Sequence, residues 1–404
     1  MAQKQEFFKL NMMTARKIIT VLLVCLSLSL TGVQTHAAEG GGDYTKPMPS
    51  FELLPVAEFE AQTVLLVEEP KGNENLKFEI RYPKDWSVSN SVSEGNFSLA
   101  PRIFNEMARF YSPPRVTGPR SQMEIKAMKL DFALTAEQWL LQYLKAEGST
   151  VEGFRVHSES RAEVMRVLLE RGQSYAVRSV VEVNGANLVV AEYKLPIENW
   201  NDEKILQAQV MDSFKLLNKK DDLLVEEMKA FDFLDIAKLT YPSSWDIRFT
   251  PFRSVDVMEA SLVNFPVQFK GDTSGNAAVD GKIDFKIVSA YAAESLEAEI
   301  KAYEAGLQER GLSYGEPVEI EDYIAVDEFF EFARFKAYKI NDQNDRLSNY
   351  EIWTSLLSAG DYFYFVTLYT PSREEDYALW SRNTETFKLV MKMLKPTVDS
   401  IAAK

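Results

Sequence analysis

Beyond residue 37 the chain holds one histidine, His157 in FRVHSESR, and no cysteine, because His36 and Cys25 both lie ahead of that point. Zinc sites built from histidine and cysteine are thereby excluded, and so is cysteine–histidine nucleophilic catalysis. A serine triad would need His157 as its base, yet no GxSxG elbow presents a serine. His157 is read as a surface residue near a turn. Carboxylates are the chemistry that remains. Glu226 with Glu227, Glu328 with Glu331, and Glu374 with Glu375 and Asp376 are spaced to serve as pairs in glycosidic or metal-assisted hydrolysis. In a chain with 60 acidic side chains such clusters also arise by chance. NDQND at 341–345 comes nearest to a calcium loop, but it lacks the turn glycine and the closing glutamate and is read as a solvated hairpin loop. GDTSGNAAVDG at 271–281 lacks the lysine and the strand–helix context of a phosphate loop. No catalytic residue, metal ligand or cofactor is assigned.

The bulk numbers bound what these residues can belong to. At 404 residues, 26% charged and 46% apolar, the composition is globular and the length calls for two or three cores. The formal charge of −15 argues against nucleic acid and against an anionic membrane surface, and no basic patch with interleaved aromatics occurs.

Residues 1–37 read as a cleaved export signal. A basic Arg16–Lys17 pair leads into IITVLLVCLSLSL, and TGVQTHA supplies small residues for cleavage between Ala37 and Ala38. Met12 or Met13 could be the true start. The apolar run is shorter than a membrane span of about 20 residues. Cys25 follows Val24 and sits inside the apolar core, which argues against lipidation. Export leaves a chain without cysteine, hence without disulfides, and without a membrane span. It would be periplasmic or secreted.

Further along, the patterning predicts alternating strands and helices. LKFEIRYP places Leu76, Phe78, Ile80 and Tyr82 on one strand face. TAEQWLLQYLKAEG at 135–148 predicts a helix capped by Thr135, with Gln138 completing a capping box and Gly148 ending it. Asn184–Gly185 predicts a two-residue hairpin turn, and a helix is expected from about Asn201 to Leu216. Residues 89–121, with four prolines, read as an irregular insertion.

The order then repeats. Tyr82-Pro83-x-x-Trp86 returns as Tyr241-Pro242-x-x-Trp245, 159 residues on, followed by similar elements in the same order. The endings SFKLL, with Phe214, and TFKLV, with Phe387, match in kind. The plain reading of each YPxxW is structural: proline turns the chain while tyrosine and tryptophan cover the core. A second reading makes Trp86 and Trp245 stacking platforms for a ligand. The excess aromatics Phe329, Phe330, Phe332, Phe335 and Tyr338 could thicken the core, or line a groove or an interface between the copies.

Through Tyr82, Pro83, Trp86, Ser213, Phe214 and Lys215, and again through Tyr241, Pro242, Trp245, Thr386, Phe387 and Lys388, residues 76–217 and 234–394 resemble the PsbP-like and Mog1-like superfamily. The resemblance implies an α+β chain of two tandem α/β/α sandwiches, each with a central antiparallel sheet, and a binding or scaffold role in place of catalysis. The expected organisation is a signal at 1–37, a flexible lead with a short strand at 38–70, one copy at 71–217, a partly helical linker at 218–232, a second copy at 233–396 and a tail at 397–404. The functional expectation is an exported non-catalytic binding or scaffold protein with an envelope protein as its partner. A carboxylate hydrolase and a self-associating assembly subunit are the alternatives, and the oligomeric state stays open.

Overall fold

The computed structural model describes residues 44–397, except 71–72, 90–98, 101, 117, 221–222, 253, 267–278 and 321–322. The export signal, Cys25, nearly all of the glycine-rich 271–281 stretch and the tail beyond residue 397 therefore lie outside the described residues.

One topology occurs twice. In the first copy, β1 (Thr63–Glu68), β2 (Phe78–Pro83) and β10 (Lys215–Leu216) form a small sheet in the order β1-β2-β10. A seven-stranded antiparallel sheet joins β3 (Ser87–Ser89), β4 (Asn105–Tyr111), β5 (Gln122–Lys129), β6 (Thr150–Ser158), β7 (Arg161–Glu170), β8 (Gln173–Asn184) and β9 (Asn187–Pro196) in the order β3-β4-β5-β9-β8-β7-β6. The second copy repeats both orders. Its small sheet is β11-β12-β20, from Met228–Phe233, Ala237–Pro242 and Leu394–Pro396. Its large sheet is β13-β14-β15-β19-β18-β17-β16, from β13 (Asp246–Phe249), β14 (Val257–Asn264), β15 (Gly281–Ser289), β16 (Leu312–Val318), β17 (Phe332–Asp342), β18 (Tyr350–Ala359) and β19 (Tyr362–Pro371).

Helices cover both faces of each sheet. After a short α1 (Val56–Gln62), α2 (Ala136–Glu147) and α3 (Trp200–Asp212) serve the first copy, and α4 (Leu296–Glu309) and α5 (Tyr377–Met393) the second. Leu140 and Leu144 of α2 pack with Val164, Val181 and Val190 on one face. Val210 and Met211 of α3, with Phe78 and Ile80 of the small sheet, pack with Ile125, Ala191 and Tyr193 on the other. The second core joins Phe387, Val390 and Met391 of α5 to Ile283, Phe285 and Leu368. The chain is thus two tandem α/β/α sandwiches.

Registers give the internal alignment. Thr135 and Ser295 cap α2 and α4 at positions 160 apart, and each side chain accepts from the backbone N–H three residues on. Tyr175 opposes Pro196 and Tyr350 opposes Pro371, so β8–β9 and β18–β19 align at a separation of 175.

Several expectations change. The insertion at 89–121 contains strand β4. Its register shifts between Glu106 and Ala108, which buries both Met107 and Ala108 and erases the period of two. The edge strands β6 and β16 are bulged as well, at Glu152 and His157 in one and beyond Tyr314 in the other, and neither shows clean alternation. The hairpin turn is Gly185–Ala186, one residue later than read; Asn184 and Asn187 close the pair, and Gly185 alone of the two turn residues has positive φ. Helix α3 stops at Asp212, and Lys215–Leu216 pair with Glu79 and Phe78. Residues 228–232 are extended, because β11 pairs along β12 and that pairing overrides helix propensity.

The copies touch through α2 and α5. Tyr377 is buried in the first copy's cluster beside Trp139 and Leu140, with Lys145 4.3 Å from its ring. Gln138 Nε2 donates to Glu385 Oε1 at 2.8 Å, and the Arg382 guanidinium lies 5.0 Å from the Phe132 ring.

Candidate functional site

The repeated motif residues stand in the core. Pro83 and Pro242 close β2 and β12, and the amides of Trp86 and Trp245 donate to the carbonyls of Pro83 and Pro242, each at 3.1 Å. Trp86 meets Tyr193 edge-on at 5.1 Å, and Tyr82 meets Phe110 at the same centroid distance. Trp245 is fully buried and Tyr241 nearly so. Neither tryptophan offers an open face for a ligand. Phe214 and Phe387 are both buried, but they are not counterparts. Lys215 opposes Glu79 and Lys395 opposes Lys238, so the register sets Phe214 level with Leu394, while Phe387 lies inside α5. The likeness of SFKLL to TFKLV thus does not follow the strand register.

Of the carboxylate candidates, Glu375 and Asp376 line one cavity of about 450 Å³ with Asp345 of NDQND, and both are engaged. Asp376 caps α5 by accepting from the amides of Ala378 and Leu379, and Glu375 accepts from Asn349. Asp342 of NDQND accepts from the amides of Asn344, Arg346 and Leu347, which hold its carboxyl below the usual range and shape the β17–β18 hairpin. His157 lies near the end of β6, exposed and close to the turn at 159–160 as read, with Nε2 3.2 Å from Glu163 Oε2. Glu163 has no exposed surface. Burial pushes its carboxyl up, but Arg178 and Arg155 outweigh burial and hold it low. Among the described residues no group of three or more His, Cys, Asp or Glu side chains is placed to hold a metal, and no described helix is long and apolar enough to cross a membrane.

What distinguishes the copies is the sheet face under the cap-aligned helices. In the first copy the cross-strand row there reads Ser89, Arg109, Glu124, Glu192, Ser179 and Val164. Glu192 is its centre. Arg166 Nη2 donates to it at 2.8 Å, Lys126 and Lys194 lie 3.9 and 3.8 Å away, and Ser179 donates at 3.3 Å. Burial raises the Glu192 carboxyl, but Lys126, Arg166 and Lys194 together hold it below the usual range. Arg166 also reaches Glu147 on α2. This ion network fills the space beneath α2, while Trp139, Leu140, Leu141 and Leu144 seat the helix.

In the second copy the same row reads Arg248, Ser261, Asp284, Thr367, Thr354 and Lys336. Thr367 stands where Glu192 does, and Tyr338 where Arg166 does. Of all α4 residues only Leu307 is fully buried. Between α4 and the sheet lies a cavity of about 640 Å³, lined in part by Arg248, Phe249, Lys282, Lys286, Gly306 and Arg310. Tyr303 stands as a pillar across it. Its hydroxyl donates to Thr367 Oγ1 at 2.9 Å, its ring stacks on Phe365 at 6.1 Å, and burial holds the hydroxyl well above its usual pKa. A smaller cavity of about 80 Å³, lined by Tyr314 and Tyr338, shares Tyr303, Phe365 and Thr367 with the first. Lys282 pairs with Asp284 at 2.8 Å, and Lys286 pairs with Glu299 of α4 at 3.0 Å. Ser261 donates to Asp284 at 2.5 Å. The groove therefore combines aromatic surface with hydroxyls and cations. That arrangement suits ligand binding.

Of the five excess aromatics, Phe330 and Phe335 join the core, Tyr338 lines the smaller cavity, and Phe329 and Phe332 are exposed. The groove residues went unread in the sequence, although one signal was present. In GKIDFKIVS the alternation of Lys282, Asp284 and Lys286 with Ile283, Phe285 and Ile287 marks a polar face on a central strand.

Fold and site together define a tandem α/β/α-sandwich protein with one packed copy and one grooved copy. No protein-family model and no curated protein matches the chain. Its fold is similar to solved structures of cyanobacterial PsbP from Synechocystis sp. PCC 6803, at 13% identity and TM-score 0.29, covering 42% of this chain and 99% of that one. A Bacteroides thetaiotaomicron structure matches at 13% identity and TM-score 0.25, covering 45% of this chain and 53% of that one. LpqN of Mycobacterium tuberculosis, described as involved in cell envelope biogenesis, matches at 10% identity and TM-score 0.23, covering 41% of this chain and 98% of that one. These likenesses carry no residue role or ligand over to this chain.

Proposed function

We propose that this chain is a non-catalytic binding protein of the cell envelope whose second copy holds a small molecule in the groove beneath α4, while the first copy is a filled platform. One observation carries the reading: the space that Arg166 and Glu192 fill under α2 is open under α4, where Tyr338 and Thr367 stand instead. The two units are taken to meet in the bridge 218–232, whose last residues already pair within the second. Export rests on residues 1–37, and N-terminal sequencing of the mature chain should then begin at Ala38.

Gly306 supplies the test. It lines the groove, and a Cβ built there meets no heavy atom within 4 Å. Gly306→Leu projects a side chain into the cavity, and exchanging a helical glycine for leucine stabilises by roughly 0.5–1 kcal/mol. Thermal melting of both proteins against a panel of small metabolites should find compounds that raise the Tm of the wild type alone. A panel in which no compound separates the two proteins overturns the reading.

A further inference from the structure

We infer that the groove beneath α4 selects anions, taking a carboxylate- or phosphate-bearing small molecule whose charge lies toward Lys282 and Arg248 and whose body lies against Phe249, Phe365 and Tyr303. This rests on the groove being the binding site. The first copy shows what its framework demands. There the sheet supplies its own carboxylate, Glu192, and three cations from β5, β7 and β9 close on it. In the second copy that carboxylate is replaced by Thr367, so no glutamate reaches the centre of the row.

One of those cations persists, Lys286 at the position of Lys126, while Tyr338 and Tyr369 replace Arg166 and Lys194; Lys282 and Arg248 are cations added at the positions of Gln122 and Ser89. With Arg310 at the end of α4, four cations line the cavity against Glu259 and Asp284. When Glu299, which holds Lys286 from the helix, is counted too, cations still outnumber carboxylates. The chain as a whole carries −15, so the groove runs against the charge of the protein around it. An anion entering there gains attraction that the rest of the surface does not offer. The aromatic lining suits a ring or chain attached to that anion, and cations already lie against aromatic faces nearby, Lys286 5.9 Å from Phe365 and Arg248 5.4 Å from Phe265.

The test titrates the intact chain with 1-naphthyl phosphate, 1-naphthoate and neutral 1-naphthalenemethanol at low salt, read by calorimetry. Both anions should bind at least tenfold tighter than the alcohol, and the stronger of the two names the headgroup. That preference should collapse in Lys282→Met/Arg248→Met. It should collapse also in Thr367→Glu, which returns to the second copy the carboxylate of the first. If Thr367→Glu does not fold by far-ultraviolet circular dichroism, the double variant decides. Equal affinity for the alcohol and the anions, with Gly306→Leu weakening all three, overturns anion selectivity and leaves the groove as a binding site. Binding that Gly306→Leu does not change overturns both readings, and so does the binding of none of the three probes at millimolar concentration.

Discussion

Tyr143 and Tyr303 stand eight residues past the caps of corresponding helices, yet their rings meet different partners. The Tyr143 ring lies 5.3 Å from the Arg166 guanidinium, while Tyr303 stacks on Phe365 and donates to Thr367. One helix position thus closes a charge network in one copy and bridges a cavity in the other. Two replacements at matched strand positions account for the difference, Arg166 by Tyr338 and Glu192 by Thr367. The β strands that carry them keep their registers, so the framework tolerates either filling.

Breaking the first copy's network should be costly. Glu192→Gln removes one of the two carboxylates that pair with Arg166, a side chain with almost no exposed surface, and leaves only Glu147. Removing a partner from a buried ion pair costs up to about 3–5 kcal/mol. Urea unfolding should show that loss in the first copy. The double variant Glu192→Met/Arg166→Met should recover much of it, because the charges it leaves, Lys126, Lys194 and Glu147, keep access to water. Equal stability of Glu192→Gln and the wild type would show that water reaches this network.

That network and the separate cluster of Glu163 with Arg155 and Arg178 set an acid limit. Glu192 and Glu163 both have folded pKa values below those of the unfolded chain, near 4.3 for glutamate. The unfolded state therefore binds more protons in that range, and their stabilisation is complete above about pH 4.3. It is lost as pH falls through their lowered folded values. Urea midpoints measured from pH 7 down to pH 3 should hold above the upper bound and drop below it. The drop should be smaller in Glu192→Met/Arg166→Met. A drop of undiminished size in that variant assigns the acid limit to other carboxylates.

Much of the fold was legible because its signals are local. The capping box at Thr135 and Gln138, the alternation of β2 and the glycine of the β8–β9 turn each span a few residues. Of the strands that were missed, β4, β6 and β16 are bulged, and a bulge destroys the period on which such reading depends. The ending SFKLL misled for a different reason: Lys215 and Leu216 are short enough to pass for a helix end, and only their pairing with β2 shows that they are strand. The groove was out of reach. Its walls come from four strands and a helix, and the exchange of Glu192 for Thr367 is visible only once the two sheets are registered 175 positions apart.

The tryptophans of the repeated turn separate a structural from a ligand-stacking role. Trp245→Ala removes a fully buried indole from the second core and should destabilise by about 3–5 kcal/mol. Trp245→Phe should cost less. The Trp245 Nε1–H finds no partner among the described residues, so the exchange removes no hydrogen bond seen there. Denaturant melts of both variants test the order. A Trp245→Ala protein as stable as the wild type but impaired in ligand binding would restore the stacking platform.

The contact between copies rests on Tyr377, which belongs to α5 of the second copy but is buried among Trp139, Leu140 and Leu144 of the first. Its neighbour Trp380 stays anchored at home, donating through Nε1 to Glu351 at 3.0 Å and stacking on Tyr377 at 5.7 Å. Truncating Tyr377 thus removes the inserted ring without unseating α5, whose cap Asp376 and core residues Phe387 and Val390 are untouched. Two other cross-copy links, Gln138 to Glu385 and Arg382 over Phe132, are single part-buried polar contacts, each worth about 1 kcal/mol. Tyr377→Ala should therefore leave each sandwich folded but uncouple the pair. Calorimetry should show the melting transition broaden or split in two, and small-angle scattering should show a larger radius of gyration. Tyr377→Phe, which keeps the ring, should behave as the wild type. An unchanged transition and unchanged scattering in Tyr377→Ala would show that the copies are joined mainly through the bridge at 218–232.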